Sequence, residues 1–310
     1  MIEGVHTANS VKEKMMHSYH NGKERGTTTH VSKMDAHWTW RPTEVTMWTG
    51  YQNEGKSLYV EQLSTLKSHK EGWRHAVFSP ENMPVEDWYD NIIEMYIGKS
   101  CDKYYEGNLM TEAEYMKGIA FVNDHFYVIY PEHDYQLGTL LECTDKLIQD
   151  KQIKNLILDP YNTIDHELNS GEREDLYISR FMSKLKRYAV KNYLPIQLVA
   201  HQLTPQKDQD GRYMKPDVNK IKGGGTFADK ADNVNFIWRP ERALDFSNTS
   251  VVFGSQKIKK QKLVGIPGEV QGIEFNRKEN RYYVDGYSMF HDLNDINPNN
   301  FTNLQPNEEF

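Results

Sequence analysis

Short apolar runs alternate along the chain with longer amphipathic stretches. The runs predict β-strands, and the stretches between them predict helices around residues 57–70, 84–97, 111–123, 139–150 and 172–192. The six predicted strands are Val45–Thr49, His75–Phe78, Phe126–Tyr130, Asn155–Asp159, Ile196–Ala200 and Val234–Trp238. Unbroken apolar runs such as 156–158 are typical of a parallel sheet covered on both faces. The pattern predicts an α/β fold built on a mostly parallel, doubly wound sheet.

Both ends of the chain depart from this alternation. Beyond Ser250, apolar runs at 251–253, 270–275 and 281–284 are separated by turns, which predicts antiparallel strands that extend the sheet. Residues 291–310 contain six Asn and two Pro and leave little to pack, and their acidic residues are unopposed by Lys or Arg. We expect these residues to form an acidic, flexible tail.

The first residues predict a separate helix. Val11, Met15 and Tyr19 recur every four positions between Ser10 and His20, and a polar, irregular stretch follows from Gly22 to Arg41. Three regions are therefore expected. They are an N-terminal linker helix and loop at 1–41, the main domain at 42–290 and the tail at 291–310.

Composition narrows the class of protein. Hydrophobic residues make up 38% of the chain and charged residues 26%, as in soluble globular proteins. The net charge of −7 argues against a surface that coats nucleic acid everywhere, but it permits a local basic channel. Cys101 and Cys143 form no CxxC pair, which excludes a disulfide framework or zinc ribbon. Short apolar runs and the lack of a signal-peptide pattern predict a cytoplasmic protein without membrane contact.

A phosphate-binding motif follows the first predicted strand. Gly50 to Ser57 has the sequence GYQNEGKS, which fits GxxxxGK[ST] and lies directly before a predicted helix. Its amides would wrap the β-phosphate, Lys56 would reach the β- and γ-oxygens, and Ser57 would ligate Mg²⁺. We therefore expect ATP or another NTP, with Mg²⁺. The predicted nucleotide-binding residues are Gly50, Gln52, Asn53, Glu54, Gly55, Lys56, Ser57 and Leu58.

Three polar residues follow other predicted strands. Asp159 ends an apolar strand about one hundred residues after the motif, an arrangement that holds the Mg²⁺ water shell, so Ser57 and Asp159 are the predicted metal residues. Glu81 is placed to accept a proton from the water that attacks the γ-phosphate, although a loop-capping Glu has the same pattern. His201 is a neutral donor that could sense the γ-phosphate, or a structural histidine.

With these residues assembled, the chain resembles the helicase domain of the Twinkle and phage primase-helicase branch of the DnaB-like hexameric helicases, in the RecA-like superfamily 4. The likeness extends from about Ile2 to Val284. Its specific stretches are Thr49–Ser57, Gly72–Asn82, Leu156–Tyr161, Val199–His201 and Lys230–Asn233.

The resemblance implies a RecA-like P-loop NTPase with assigned roles. It makes Glu81 the catalytic base, Asp159 the Walker B carboxylate and His201 a γ-phosphate sensor that communicates with DNA. A homohexameric ring also implies that the N-terminal helix packs on a neighbouring subunit; packing on its own domain is the alternative.

The chain departs from the family at the residue that reaches the neighbour's ATP. Where the family has Lys-x-Arg, residues 257–260 are Lys-Ile-Lys-Lys, and lysine lacks the planar fork of arginine. We predict Lys259 as the trans-acting finger, counted among the catalytic residues, with Arg239 and Arg242 as competing candidates.

A long polar loop from Gln206 to Gly225 follows His201. In a ring it would line the hole and grip single-stranded DNA without sequence preference, whereas a solvated surface loop is the alternative. The predicted DNA-binding residues are Lys207, Arg212, Lys215, Lys220, Lys222, Gly223 and Gly224. A second central loop, residues 162–171, could respond to the nucleotide state.

The leading prediction is therefore an ATP-dependent, ring-shaped replicative helicase that translocates on single-stranded DNA and unwinds duplex. A filament-forming, RecA-like DNA-dependent ATPase would share the same motifs. A monomeric P-loop phosphotransferase would need an arginine-rich lid, and the sequence has no compact arginine cluster. A primase, a polymerase or another replisome protein is the expected partner of the tail.

Overall fold

The computed structural model describes residues 4–105, 107–166 and 173–290. The strands are β1 (Val45–Thr49), β2 (His75–Phe78), β3 (Phe126–Val128), β4 (Asn155–Leu158), β5 (Ile196–Val199), β6 (Asn233–Trp238), β7 (Ser250–Ile258), β8 (Gly268–Asn276), β9 (Arg281–Val284) and β10 (Tyr287–Ser288). The helices are α1 (Lys12–Asn21), α2 (Ser32–Asp35), α3 (Lys56–Glu71), α4 (Val85–Ile97), α5 (Glu112–His125), α6 (Leu137–Lys151), α7 (Glu174–Asn192), α8 (Thr226–Lys230) and α9 (Gln261–Val264). No helix in these ranges is long and apolar enough to cross a bilayer.

All ten strands form one sheet in the order β10-β9-β8-β7-β6-β1-β5-β4-β2-β3. The six strands from β6 to β3 are parallel, and β7 to β10 add an antiparallel extension beside β6. The predicted fold class is confirmed, including the antiparallel strands near the C-terminus.

Helices cover both faces of the parallel strands. Successive residues of β1 point to opposite sides, so Met47 packs in the cluster with α6 and α7, and Trp48 packs in the cluster with α3 and α4. Burial on both faces explains why these strands are continuously apolar in sequence. Because the strands are parallel, the residues that follow β1, β2, β4 and β5 meet at one edge of the sheet, the carboxyl edge.

The N-terminal region differs from the prediction. Met34, Trp38 and Trp40 are completely or almost completely buried in the main core, and Thr27 pairs with Trp40 in an antiparallel bridge. Gly26 N also donates to Leu263 O at 2.8 Å. The prediction of a linker over residues 1–41 is therefore wrong for 26–41, because isolated tryptophans in a polar stretch produce no periodic signal.

Helix α1, in contrast, is free of its own domain. It contains no buried residue, and the side chains of Met15 and Tyr19 are 56% and 81% exposed. The alternative in which this helix packs on its own domain is not what the structure contains. The predicted tail at 291–310 lies outside the described residues.

Candidate nucleotide site and basic loop

The glycines of the phosphate motif are required by close contacts. Gly55 lies just before α3 with φ of 82°, and a Cβ there would lie 2.0 Å from the Tyr282 hydroxyl. A Cβ on Gly50 would lie 2.3 Å from the carbonyl oxygen of Ile237. The motif therefore forms a tight turn between β1 and the N-terminus of α3, which is where phosphate-binding loops hold their phosphate.

Lys56 lies at the bottom of this turn. Its side chain is almost completely buried, and its ammonium donates to the carbonyl oxygen of Tyr51 at 2.7 Å. Burial lowers the pKa of Lys56 to about 8, against the opposing charges of Asp159, Glu54 and Glu81. An ammonium has three donors, so two remain for phosphate oxygens.

Glu54 stabilises the loop from inside. It is fully buried, and its carboxylate accepts hydrogen bonds from Tyr51 N at 3.1 Å and Arg239 N at 3.3 Å. Burial raises the pKa of Glu54 to about 7. Its side chain thus contacts protein backbone, which leaves its amide as the group available to a nucleotide.

Ser57 and Asp159 are brought together as predicted for the metal residues. Burial raises the pKa of Asp159 to about 6, while a hydrogen bond from Ser57 opposes the shift. Among the described residues no group of three His, Cys, Asp or Glu side chains could hold a metal by itself. A hydroxyl beside a carboxylate fits Mg²⁺, which takes oxygen ligands and completes its shell with water and phosphate oxygens.

Glu81 and His201 lie opposite each other at the carboxyl edge. Glu81 Oε2 is 4.0 Å from His201 Nε2, and the Glu81 side chain is half-exposed. Burial, with the positive charges of Lys56 and Lys222, lowers the pKa of His201 to about 4. The contact is therefore not an ion pair at neutral pH. His201 Nδ1 is buried without a hydrogen-bond partner among the described residues, unlike a satisfied structural histidine.

The three candidates for the trans-acting finger lie in two different places. Arg242 donates to the carbonyl oxygen of Gln52 at 2.8 Å, and the Arg239 amide bonds to Glu54, so both arginines lie beside their own P-loop. Lys259 follows β7, whose last residue pairs with the first residue of β6. It therefore lies at the opposite edge, roughly 17 Å away along the five residues of β1.

The lysines around Lys259 have partners at that edge. Lys259 is 3.6 Å from the Asp232 carboxylate, and Lys260 is 3.6 Å from the Glu44 carboxylate. Lys257 donates to the carbonyl oxygen of Ala228 at 2.5 Å. Lys259 cannot reach the nucleotide of its own subunit from this position.

The loop from Gln206 to Gly225 has two parts. In the first, Arg212 bonds Glu241 at 2.6 Å and Lys215 bonds Glu269 at 2.6 Å, which neutralises both cations. Lys207 is exposed and lies 5.9 Å from the Tyr213 ring.

The second part is attached to the nucleotide site. Lys222 N donates to His201 O at 2.8 Å, and the exposed Lys222 side chain makes no ion pair within the described ranges. Gly223 and Gly224 have φ of 103° and 93°, and Lys220 bonds Gln206 at 3.2 Å. The other predicted central loop, 162–171, lies partly outside the described residues.

Tyr282 was not predicted from the sequence. Tyr282 is buried, its hydroxyl donates to Gly55 O at 3.0 Å, and its backbone is bonded to the Gln62 side chain. Tyr282 and Gly55 are 227 positions apart in the sequence, so no local pattern predicts their contact.

A parallel sheet with a P-loop after β1, carboxyl groups after β2 and β4 and a histidine after β5 defines a RecA-like P-loop NTPase fold. The chain belongs to the DnaB-like helicase C-terminal domain family, whose profile matches residues 26–282. This confirms the resemblance drawn from the motifs.

A curated relative supports the family. The Twinkle homolog protein, chloroplastic/mitochondrial, of Arabidopsis thaliana is 30% identical over 224 residues. The match covers 71% of this chain but 31% of that protein, so the chain spans less than a third of that relative.

Solved structures support the fold. The ATPase domain of a phage protein superimposes with a TM-score of 0.74 at 11% identity, covering 90% of this chain and 98% of that one. A DnaB-like replicative helicase, described with its interactions with primase, gives a TM-score of 0.70 at 12% identity, covering 91% and 68%.

Proposed function

We propose that this chain is the motor domain of an ATP-dependent, ring-shaped replicative helicase that translocates on single-stranded DNA and unwinds duplex. One observation carries the proposal: the segment with the exposed Lys222 is bonded through its backbone to His201, and His201 lies 4.0 Å from Glu81. A group that contacts DNA is thereby joined to groups that would hydrolyse ATP.

The hydrolysis step uses the residues at the carboxyl edge. The P-loop amides and Lys56 would bind the β- and γ-phosphates, and Ser57 and Asp159 would hold Mg²⁺, which would supply positive charge to offset that of the phosphates. Glu81 orients the attacking water and takes its proton. The half-exposed position of Glu81 supports this role, because a water must reach it.

His201 would transmit the state of the γ-phosphate. Its pKa of about 4 keeps it neutral at pH 7, so it can donate to a phosphate oxygen without adding charge. A shift of its backbone would move Lys222 and the glycines at 223 and 224. In a ring, six such segments would face one DNA strand.

The site is proposed to be completed by a neighbouring subunit. Lys259 lies at the edge opposite its own P-loop, so any nucleotide that it contacts belongs to another subunit. A cation supplied in this way is worth several orders of magnitude in rate. Helix α1 supports assembly, since its apolar residues are exposed on the monomer. Arg239 and Arg242, the competing candidates for the trans-acting finger, lie beside their own P-loop, so they would act on the nucleotide of their own subunit.

Further partners are proposed on the same basis. The acidic tail at 291–310 is proposed to contact a primase, a polymerase or another replisome protein.

An unwinding assay on a forked duplex tests the proposal. Wild type should unwind in the presence of ATP and Mg²⁺ and show ATPase activity that single-stranded DNA stimulates. Lys56→Ala should do neither. Lys222→Ala should lose the stimulation, whereas the matched control Lys191→Ala, an exposed lysine at the end of α7, should retain it. ATPase activity that DNA never stimulates would overturn the helicase proposal.

A further inference from the structure

The first part of the basic loop folds back on itself. Asp208 N donates to Arg212 O at 2.9 Å, and Met214 N donates to Gln206 O at 2.8 Å. Lys207 and Tyr213 pair between them as an antiparallel bridge. We call residues 206–214 the hairpin. It carries two of the predicted DNA-binding residues, Lys207 and Arg212.

The hairpin lies at the carboxyl edge of the sheet, beside the candidate nucleotide site. The Trp238 indole donates to Tyr213 O at 3.1 Å, and Tyr213 N donates to Pro240 O at 3.3 Å. Arg212 adds its bond to Glu241. These contacts attach the hairpin to the last residue of β6 and to the segment after it, in which the Arg239 amide bonds to Glu54 of the P-loop.

Tyr51 joins the hairpin to the P-loop directly. The Tyr51 hydroxyl donates to Met214 O at 3.0 Å, and its ring lies 5.9 Å from the ring of Tyr213. Its own carbonyl oxygen accepts the Lys56 ammonium at 2.7 Å. One residue therefore contacts both the lysine that binds the phosphates and the hairpin.

Nucleotide binding alone does not explain this side chain. The motif leaves the residue after its first glycine open, yet Tyr51 is 7% exposed and bonded to a loop 163 positions away. Burial raises the pKa of Tyr51, so its hydroxyl stays protonated and remains a donor at working pH.

We infer that Tyr51 is a positioning residue that couples the nucleotide state of the P-loop to the DNA affinity of the hairpin. A change in how Lys56 divides its donors between Tyr51 O and phosphate oxygens displaces the Tyr51 peptide. The hydroxyl carries that displacement to Met214. The inference rests on the proposed function and adds one requirement: the hairpin, through its exposed Lys207, must lie against the same DNA strand as Lys222.

The test compares two tyrosine-to-phenylalanine variants. Tyr51→Phe keeps the ring and removes the bond to Met214. Tyr213→Phe is the matched control, because the Tyr213 hydroxyl makes no hydrogen bond within the described residues. Affinity for a fluorescent oligothymidylate is measured with a non-hydrolysable ATP analogue and again with ADP, and the ratio of the two dissociation constants is the readout.

The wild type and Tyr213→Phe should show the same nucleotide-dependent ratio. In Tyr51→Phe the ratio should move toward one by about five-fold, the equivalent of one hydrogen bond of ~1 kcal/mol. A purely structural role would change both affinities together and leave the ratio intact. That result would overturn the inference while the proposed function stands.

A second measurement keeps the inference testable if Tyr51→Phe is less stable than the wild type. Amide hydrogen exchange of residues 206–214 should respond to the ATP analogue in wild type and not in Tyr51→Phe. An equal response in both proteins would also overturn the inference. A wild type that shows no DNA binding with either nucleotide would instead contradict the proposed function.

Discussion

ATP affinity should fall about ten-fold between pH 7 and pH 9, because Lys56 loses its charge in this range. Burial lowers its pKa to about 8, so about nine-tenths of the molecules hold the ammonium at pH 7 and about one-tenth at pH 9. Phosphate binding requires the ammonium. Affinity is therefore present below this pKa and lost above it, at a cost of about 1.4 kcal/mol over the interval.

Glu54 should also lower ATP affinity as the pH rises, but over a lower pH range than Lys56. Its pKa is raised to about 7 by burial, so raising the pH adds a negative charge beside the phosphates. Glu54→Gln should flatten the dependence between pH 6 and 7.5 and leave the decline above pH 8, which belongs to Lys56. The amide keeps an oxygen that can accept one of the two backbone bonds.

The assay is equilibrium binding of a fluorescent ATP analogue with Mg²⁺ from pH 6 to 9. Lys191→Ala, which changes an exposed lysine at the end of α7, should keep the full dependence. Lys56→Ala should bind weakly at every pH. A wild-type affinity that is unchanged from pH 7 to 9 would refute the account of a buried, deprotonatable lysine.

Three further predictions concern other residues. Glu81→Gln should keep nucleotide binding and slow hydrolysis by at least ~100-fold; near-normal turnover would remove it as the base. Lys259→Ala and Lys56→Ala should each be inactive, and mixing them under assembling conditions should restore part of the ATPase activity, whereas no recovery would favour a purely structural role for Lys259 beside Asp232. Burial raises the pKa of Glu61 to about 8, and its carboxyl accepts from the Trp88 indole at 2.7 Å. Because the folded state retains a proton that the unfolded chain loses near pH 4.5, stability falls as pH rises between these values. Glu61→Gln should therefore raise the melting temperature above wild type at pH 8.5, by the equivalent of a few kcal/mol, and much less at pH 5; equal shifts at both pH values would contradict this.

The parts of the fold that the sequence predicted are those with a local signal. The strand β4 is a continuous apolar run because it is buried on both faces, and the phosphate motif requires fixed glycines at fixed spacing. Trp38 and Trp40 were placed in a linker because two large residues in a polar stretch show no period. The segment that carries them is bonded to residues more than two hundred positions away: Thr39 Oγ1 donates to Val264 O, and Ile266 N donates to Ala36 O.

In the candidate site, the residues at strand ends could be predicted from the sequence, but their long-range partners could not. Glu81, Asp159 and His201 were recognised because each follows a strand, and parallel strands bring their ends together. Partners of the cations could not be predicted, since Glu241 and Glu269, which neutralise Arg212 and Lys215, are distant in sequence. Neither could the bonds of Tyr51 to Met214 and of Tyr282 to Gly55, because each joins the P-loop to a residue more than 160 positions away.

The proposed active unit is a closed ring around single-stranded DNA. Native mass measurement of the full chain with a non-hydrolysable ATP analogue, Mg²⁺ and an oligothymidylate tests it most directly. A closed ring predicts a discrete particle of six subunits and one strand, which disappears when the apolar residues Met15 and Tyr19 of α1 are replaced by Ser. A monomer with bound nucleotide, or a distribution of lengths typical of a filament, would contradict it.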